Sequence, residues 1–410
     1  DHGRFMLSCI MAANNRQTHG SKDQENIMAL SHLTVLDLTA NLSGPYCAMI
    51  LADQGADVIK VERPDVGDDM RLTPPFIAGE SAPFMLANRN KRSIIIDFKT
   101  ADGLTAFRRL VVDADILIEN FKPGTATRIG VGYEDMRTLN PRLIYCSISG
   151  FGQTGPYAKR GGFDLISQAM TGLAAICGDE DGPPHRLPIP ITDLCAGMNG
   201  AIGILTALAA REKTGQGQQV DVSLFETGIA LGFYEAASYF ATNVTPERLG
   251  QRHRGSAPYQ IFATADGHIA IGAAAERFWS LTCEVLGCEE LTKDTRFTTK
   301  ADRVANNKAL VAILEKRLLE KTTDAWFQLL DAKGVPAGPV MNHAQMFADP
   351  QTLARDMVVD IDHPSAGATR TLGVPIKLSE TPGAVRRPAP RHGEHTQEVL
   401  AEASRRNAAE

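Results

Sequence analysis

Short apolar runs alternate with stretches of helical periodicity between residues 33 and 150. The apolar runs predict strands at 33–38, 57–61, 93–98, 115–119 and 142–149. Helices are expected between them, and the first has Pro45 at its start and Gly55 at its end, the usual places of these residues at helix termini. Strands that alternate with helices build βαβ units, so this part of the chain predicts an α/β fold with a mostly parallel sheet.

The pattern changes in the second half of the chain. A helix at 196–211 and a strand at 220–224 continue the alternation, and a long helix is expected at 226–239. A hairpin with Asp266-Gly267 as its turn follows, and then a helical stretch at 276–333. The remaining residues read as loops and short strands rich in glycine and proline.

The composition excludes several classes of protein. The chain has 42 Lys and Arg against 48 Asp and Glu, a net charge of −6, so it lacks the basic excess typical of nucleic-acid-binding proteins. Its longest uncharged stretch, 194–210, contains three glycines and Asn199, which favours a buried helix over a membrane span. Residues 1–30 contain charges and no apolar core, so we expect a polar leader before a native start near Met28 and no secretory signal. The seven scattered cysteines favour reduced thiols and a cytoplasmic protein.

Basic residues cluster where the predicted strands end. Ligands of parallel sheets bind beyond the carboxyl ends of the strands. The basic residues near these ends are Arg63, Arg71, Arg89, Lys91, Arg92, Lys122 and Arg128. Cations beside glycine-rich turns suit a phosphate-bearing ligand, and the alternative is a set of solvated charges in turns.

A glycine loop at 150–155 follows one of the predicted strands and matches the dinucleotide-binding fingerprint. Pro156 and the pair Gly161-Gly162 would interrupt the helix that this fingerprint requires. A nicotinamide site is therefore disfavoured, and the loop is interpreted as a close approach of backbone to a ligand.

Asp164 is the candidate for chemistry. No histidine occurs between residues 33 and 184, so the loops of the predicted sheet offer carboxylates and backbone amides rather than an imidazole base. Asp164 directly precedes a predicted helix at 165–176, where the helix dipole favours an ionised carboxylate. The alternative is an ordinary N-cap aspartate.

These segments together resemble the class III CoA-transferases, the CaiB/BaiF family, from about residue 33 to residue 400. The matching segments are 35–38 with 44–45, 55–62, 90–93, 119–124, 150–156, 214–218 with 220–223, and 334–340. The resemblance implies an enzyme that moves CoA from an acyl-CoA donor to a free carboxylic acid. It implies Asp164 as the nucleophile, which forms an acyl anhydride and then a CoA thioester.

The resemblance also implies roles for other residues. The glycine loop, with Gly150, Gly152, Gln153 and Gly155, would supply amides that stabilise an oxyanion. The expected CoA contacts are Arg63, Arg71, Lys91, Arg92, Asn120, Phe121, Arg128 and Met198. Coenzyme A would act as substrate and product, and no metal, membrane or nucleic acid is expected.

The family architecture gives the expected domains. The resemblance implies a large Rossmann-like α/β domain formed by 31–225 and 335–410, and a small α+β domain at 226–334. Two such chains are expected to thread through each other as an interlocked homodimer.

Some positions depart from the family pattern. Leu42 replaces a glutamine of formyl-CoA transferase, and Arg252-His253-Arg254-Gly255 replaces its four-glycine loop, so we do not expect the formate and oxalate pair. Arg252 and Arg254 are interpreted either as binders of a second carboxylate or as surface charges. The family also contains 2-methylacyl-CoA racemases, but Phe163 stands where a racemase has histidine. A racemase is therefore the alternative, and a non-catalytic CoA-binding protein is a third reading.

Overall fold

A parallel sheet forms the centre of the structure, a computed structural model that describes residues 28–406. The predicted leader at 1–30 lies almost wholly outside the described residues. In chain order the first eight strands are β1 (Thr34–Asp37), β2 (Asp57–Glu62), β3 (Phe76–Ile77), β4 (Glu80–Ser81), β5 (Lys91–Ile95), β6 (Ile116–Glu119), β7 (Ile144–Ser149) and β8 (Gln219–Ser223). Six of them pair in parallel in the order β5-β2-β1-β6-β7-β8, which confirms the predicted α/β fold.

Ten helices accompany this part of the chain. They are α1 (Ser43–Asp53), α2 (Ala82–Ala87), α3 (Ala101–Val112), α4 (Thr125–Arg128), α5 (Tyr133–Leu139), α6 (Asp164–Met170), α7 (Leu173–Ile176), α8 (Ile191–Thr214), α9 (Leu224–Leu231) and α10 (Phe233–Thr242). Helices α1 and α8 pack on one face of the sheet, where Cys47, Leu51 and Ile204 are buried. Phe107 and Leu110 of α3 are buried against the other face.

A separate hydrophobic cluster lies in residues 257–337. Strands β9 (Tyr259–Ala263), β10 (His268–Gly272) and β11 (Ala337–Pro339) form an antiparallel sheet, and β9 and β10 are the predicted hairpin. The helices that accompany it are α11 (Glu276–Leu286), α12 (Lys300–Ala305), α13 (Asn307–Leu318) and α14 (Thr323–Ala332). Phe262, Trp279, Leu314 and Trp326 are buried together in this cluster.

The C-terminal segment returns to the large sheet. Its elements are α15 (His343–Ala348), α16 (Pro350–Ala354), the antiparallel pair β12 (Val358–His363) and β13 (Gly367–Leu372), and α17 (Thr396–Arg406). The His395 amide donates to the Ser93 carbonyl at 2.8 Å, and Val399 of α17 is buried against the sheet beside α3. The last helix therefore completes the layer that covers this face.

Two predicted helices are broken at glycines. The predicted helix 165–176 is two short helices, because Gly172 adopts a left-handed φ of 85° between them. The helix predicted at 226–239 is likewise divided, and Gly232 lies between α9 and α10. A side chain is rarely tolerated at positive φ, so Gly172 permits the break where most residues would not.

Helix α8 packs against the six-stranded sheet. By length and composition alone it could cross a membrane, a test that buried helices of soluble proteins also pass. Its glycines pack tightly, since a Cβ on Gly197 would lie 2.6 Å from the Ser43 carbonyl oxygen of α1. Its other face exposes apolar side chains such as Ile202, as α10 does with Phe233 and Phe240. The homodimer implied by the family architecture stays a prediction.

A buried ionic network fixes the loop that joins β1 to α1. Its members are Asp37, Lys60, Asp68 and Lys91, with Lys91–Asp37 and Lys60–Asp68 distances of 2.8 Å and fully buried side chains. Burial lowers the pKa of Lys91 to about 8, although the Asp37 charge opposes this shift. Lys60 also donates to the Thr39 carbonyl at 2.8 Å, and Asp68 accepts from the Asn41 amide at 2.9 Å. The charges of this network therefore hold loop backbone in place.

Candidate active site

The close crossing of two glycines brings Asp164 to the carboxyl edge of the sheet. Gly150 directly follows β7, and Gly162 precedes α6. A Cβ built on Gly150 would lie 2.6 Å from the Gly162 Cα, so neither position has room for a side chain. The chain thus leaves the sheet, makes a loop and returns to the strand end before Asp164 begins α6.

Three donors surround the Asp164 carboxylate. Its Oδ1 accepts from the Thr192 amide at 2.9 Å and from the Thr192 hydroxyl at 2.8 Å. Its Oδ2 accepts from the Gln168 Nε2 at 2.7 Å. Asp164 is only 8% exposed, and both donor residues are fully buried. The carboxylate therefore has one fixed orientation, at the N-terminus of the long helix α8.

Asp193 is a second acidic group beside the nucleophile candidate. It follows Thr192 in the first turn of α8. Burial, and then the negative charge of Asp164, raise the pKa of Asp193 to about 7. At neutral pH a substantial share of the Asp193 carboxyl is therefore protonated, and the site carries less negative charge than its two aspartates suggest.

The backbone amides of the predicted oxyanion loop donate to side chains of the protein itself. The Gly152 amide donates to the Ser149 hydroxyl at 3.0 Å, and the Gln153 amide donates to the Asp221 carboxylate at 3.0 Å. An Asp221 carboxylate beside these amides disfavours a second anion there. The oxyanion role of Gly152 and Gln153 stays a prediction, and in this structure both amides already have acceptors within the chain. Gly155, with a φ of 85°, serves the turn itself, and Gly150 serves the crossing with Gly162.

Lys91 and Arg92, two of the predicted CoA contacts, are paired with acidic groups of the chain itself. Lys91 is fully buried, and its ammonium group is bound to Asp37, Asn88 and the Pro45 carbonyl. Arg92 stands near the start of β5, at the amino-terminal edge of the sheet. Its guanidinium forms ion pairs with Asp57 at 2.6 Å and with two glutamates of α17 at 2.8 and 3.0 Å. Both cations are neutralised within the fold, and their role in CoA binding stays a prediction.

The remaining predicted cations differ in how exposed and how strongly paired their guanidinium groups are. Arg71 forms a bidentate pair with Glu62 and stacks 3.8 Å from the centre of the Phe84 ring. Burial alone would raise the pKa of Glu62, but the Arg71 hydrogen bonds and neighbouring cations lower it to about 2. Arg63 is half exposed and paired with the exposed Asp65 and Asp69, and Arg128 is exposed.

Asn120 binds the loop between β1 and α1, which the buried ionic network also binds. Its side-chain oxygen accepts from the Ala40 amide at 2.9 Å, and its Nδ2 donates to the Ala40 carbonyl at 2.7 Å. Phe121 is partly buried against the hydrophobic cluster beside α3. The Asn120 side chain thus stabilises loop 39–42 through its hydrogen bonds to Ala40, while Phe121 packs against the hydrophobic cluster that covers one face of the sheet.

Met198 lines a large apolar cavity. The cavity has a volume of about 600 Å³, and Leu42, Tyr46 and Leu194 also form its wall. Met198 stands six residues after Thr192 on the same helix, about 9 Å along the helix axis at 1.5 Å per residue. Met198 and Thr192 therefore belong to neighbouring turns of α8, and the cavity wall includes Leu194 and Met198 but not Asp164.

Sequence reasoning missed Gln168, Thr192 and Asp193. Gln168 could have been found, because residues i and i+4 of a helix share one face and Gln168 stands four residues after Asp164. Thr192 has no local signal, since it lies 28 residues away and reaches Asp164 only through the tertiary fold. In the described residues, no group of three metal-ligating side chains is present.

Comparisons with known proteins agree with this fold. Residues 30–396 match the profile of CoA-transferase family III. The human succinyl-CoA:glutarate CoA-transferase is 38% identical over 384 residues, which cover 93% of this chain and 88% of the human enzyme. A succinyl-CoA:mesaconate CoA-transferase from Haloarcula hispanica is 40% identical over 385 residues, which cover 92% of this chain and 96% of that enzyme. A crystal structure of a CaiB/BaiF family protein from Brucella suis has a TM-score of 0.82 and 40% identity, and the match covers 92% of this chain and 99% of that one.

These findings define the class of protein as a CoA-transferase. The chain belongs to CoA-transferase family III, as the resemblance predicted. Its substrates are therefore a CoA thioester and a carboxylic acid.

The raised pKa of Asp193 gives a prediction about stability and pH. Because the folded chain keeps a proton on Asp193 up to about pH 7, while an unfolded aspartate has lost it above about pH 4, this group destabilises the fold as pH rises between these values. The side chain of Asp193→Asn cannot titrate. The free energy of unfolding of this variant, minus that of the wild type, should therefore increase by about 2 kcal/mol from pH 5 to pH 7. Urea unfolding at several pH values measures the difference.

The matched control for Asp193→Asn is Asp324→Asn, which changes an exposed aspartate in the first turn of α14. A stability difference between Asp193→Asn and wild type that stays constant over this pH range would contradict the prediction.

Proposed function

We propose that this enzyme transfers CoA from an acyl-CoA donor to a free carboxylic acid with Asp164 as the nucleophile. The observation that carries the proposal is the Asp164 carboxylate itself, buried at the carboxyl edge of the sheet and oriented by three donors. Ligands of parallel sheets bind at this edge. A buried carboxylate with fixed orientation suits covalent catalysis better than the capping of α6, a helix of seven residues.

The exchange divides into four steps that need neither a metal nor a redox partner. Asp164 Oδ2 attacks the acyl-CoA carbonyl, the C–S bond breaks, and CoA leaves as a thiolate from an aspartyl anhydride. The thiolate attacks the Asp164 Cγ, and the donor carboxylate leaves with Oδ2. The acceptor carboxylate attacks this aspartyl-CoA thioester and expels the thiolate, which finally attacks the acceptor carbonyl and restores Asp164. Together these steps replace one difficult exchange between two stable compounds by a series of attacks on activated carbonyl groups.

Binding of CoA is assigned to accessible groups beyond the carboxyl ends of the strands and to the apolar cavity. Arg128 is exposed, and Arg63 is half exposed with only exposed aspartates as partners, so a phosphate can reach both guanidinium groups more easily than the buried Lys91 and Arg92. The apolar cavity lined by Leu42 and Met198 suits the pantetheine arm or an acyl chain, because most of its wall is aliphatic.

The proposed acceptor class is the dicarboxylic acids. Relatives from human and Agrobacterium fabrum, at 38% and 39% identity, are named for succinate or succinyl-CoA and glutarate, and one from Acetobacter aceti, at 40%, for oxalate. In this chain a polar cavity of about 610 Å³ is lined by Arg252, His253 and Arg254. A second carboxylate requires a cation of this kind.

Arg254 is the better candidate for that cation. Arg252 is paired with Glu180 at 3.0 Å. Arg254 donates one Nη2 hydrogen bond to the Glu247 carbonyl, and its Nε has no partner within residues 28–406. Arg248 of the same segment donates to the Ala175 carbonyl in α7 and to the Gly182 carbonyl after it. Arg254 therefore has a free donor on a segment that is fixed to α7 and the loop after it.

Replacement of Asp164 tests the nucleophile. Incubation of the wild type with succinyl-CoA, followed by hydroxylamine and peptide mass spectrometry, should show a hydroxamate on Asp164. Asp164→Asn removes the nucleophilic carboxylate, so the adduct should vanish and turnover should fall by at least about 10³-fold. The matched control is Asp102→Asn, an exposed aspartate of α3, which should keep wild-type turnover.

Two results would overturn this proposal. Full transfer by Asp164→Asn would exclude the covalent route. Exchange of the donor α-proton into deuterated water without any acceptor, at the rate of turnover, would favour the racemase alternative instead.

Acceptor specificity tests the dicarboxylate assignment. Glutarate should exceed butyrate in kcat/KM by at least about 10-fold, and Arg254→Gln should remove most of this preference by raising the KM for glutarate alone, since the lost contact is one charge-assisted pair. Initial rates with both acids measure the effect. Arg296→Gln, which removes an exposed arginine paired with Asp294, is the control. Equal preference in wild type and Arg254→Gln would contradict the role of Arg254.

A further inference from the structure

The two hydrogen bonds from Thr192 converge on a single oxygen of Asp164. The amide and the hydroxyl of Thr192 lie 2.9 and 2.8 Å from Oδ1, and Thr192 is fully buried. We propose that Thr192 is a catalytic residue whose amide and hydroxyl form the oxyanion site for every step in which the Asp164 carbonyl is attacked. This inference rests on the proposed nucleophilic role of Asp164.

The contacts of the other oxygen indicate which one leaves. Gln168 Nε2 donates to Oδ2, but it also lies 3.4 Å from the Leu187 and Ile189 carbonyls. Gln168 can therefore transfer its donor to these carbonyls when Oδ2 becomes the bridging oxygen of an anhydride and a poorer acceptor. The Thr192 hydroxyl, in contrast, has Asp164 Oδ1 as its acceptor within the described chain. Oδ2 is accordingly the attacking oxygen, and Oδ1 remains in place.

The charge on Oδ1 then changes during the reaction. When the CoA thiolate attacks Cγ of the anhydride, the electron pair of the Cγ–Oδ1 double bond moves to Oδ1, which becomes an oxyanion. Collapse restores the double bond, breaks the Cγ–Oδ2 bond and releases the donor carboxylate. The acceptor carboxylate later attacks Cγ of the thioester and places the same charge on Oδ1 before the C–S bond breaks. No proton is transferred in either step.

The site around Oδ1 suits this charge. Donors at 2.7 to 3.1 Å that are fixed before reaction stabilise an oxyanion without reorganisation. The Thr192 amide is one of the unsatisfied amides in the first turn of the 24-residue helix α8, where the positive end of the helix dipole favours negative charge. Thr192 thus supplies one backbone and one side-chain donor, as the glycine loop was expected to do.

Thr192→Val tests the hydroxyl, because valine keeps the β-branched shape and the backbone amide. Rapid-quench mass spectrometry of the intact wild type with succinyl-CoA and no acceptor gives the rate at which the Asp164–CoA thioester forms. Addition of glutarate gives the rate of its decay. Both rates should fall by about 10²-fold in Thr192→Val, the usual effect of one lost oxyanion donor. The KM for succinyl-CoA should change less than about threefold, because Thr192 contacts Asp164 rather than the donor.

Rescue separates this role from a structural one. Thr192→Ser keeps a hydroxyl and should retain at least about a third of both rates. If Thr192→Val does not fold, the contrast between Thr192→Ser and Thr192→Ala gives the same comparison. Thr206→Val, which removes a hydroxyl that donates to Ile202 on an exposed part of α8, should behave as wild type.

The outcomes for the two proposals are distinguishable. Absence of the Asp164–CoA thioester in the wild type would overturn the nucleophilic role of Asp164. A wild type that forms the thioester, together with a folded Thr192→Val whose two rates are within threefold of wild type, would overturn the role of Thr192 alone.

Discussion

The hydrogen bonds between Thr192 and Asp164 join the two elements on which the site depends. One is the start of α6, which the crossing of Gly150 and Gly162 holds at the end of β7. The other is the start of α8, the longest described helix, which is packed through Gly197 and Gly200 against α1 and the sheet. Because both helices are fixed independently, the carboxylate that joins them is oriented before any substrate binds. Preorganisation of this kind lets donors act on a developing charge without the cost of moving them.

Buried ion pairs hold a loop at the carboxyl edge of the six-stranded sheet. Lys60 and Lys91 are fully buried, and their charges are neutralised by Asp37 and Asp68. Removal of one residue of a pair would leave its partner as an uncompensated buried charge, which typically costs about 3–5 kcal/mol of stability. These pairs hold the loop between β1 and α1, and Asn120 holds the same loop from the side. The loop that carries Leu42 to the edge of the apolar cavity is therefore part of the rigid fold.

The sequence predicts the order of strands and helices because each strand contains an apolar run, such as Val58-Ile59 in β2, and the predicted first helix is followed by a typical residue, Gly55. The local pattern marks Asp164 as a carboxylate before a helix, and the family resemblance implies its role as nucleophile. The partners of its carboxylate were not predicted, because Thr192 approaches it only through tertiary packing. Likewise, Lys91 and Arg92 look like ligand contacts in a sequence, where their acidic partners Asp37 and Asp57 are more than thirty residues away. The sequence pattern predicts which charged residues lie near the ends of the strands. Only the three-dimensional structure shows which of these charges are paired with other residues of the chain.

The central claim is that carboxylate oxygen passes through Asp164 during transfer. The most direct measurement uses an acceptor acid with both carboxylate oxygens replaced by ¹⁸O, unlabelled succinyl-CoA, and mass spectrometry of the peptide that contains Asp164 after several turnovers. The donor carboxylate leaves with an oxygen of Asp164, and the acceptor replaces it. The account therefore predicts ¹⁸O in the Asp164 side chain of the wild type. Formation of the acceptor thioester with no ¹⁸O in Asp164 would contradict it.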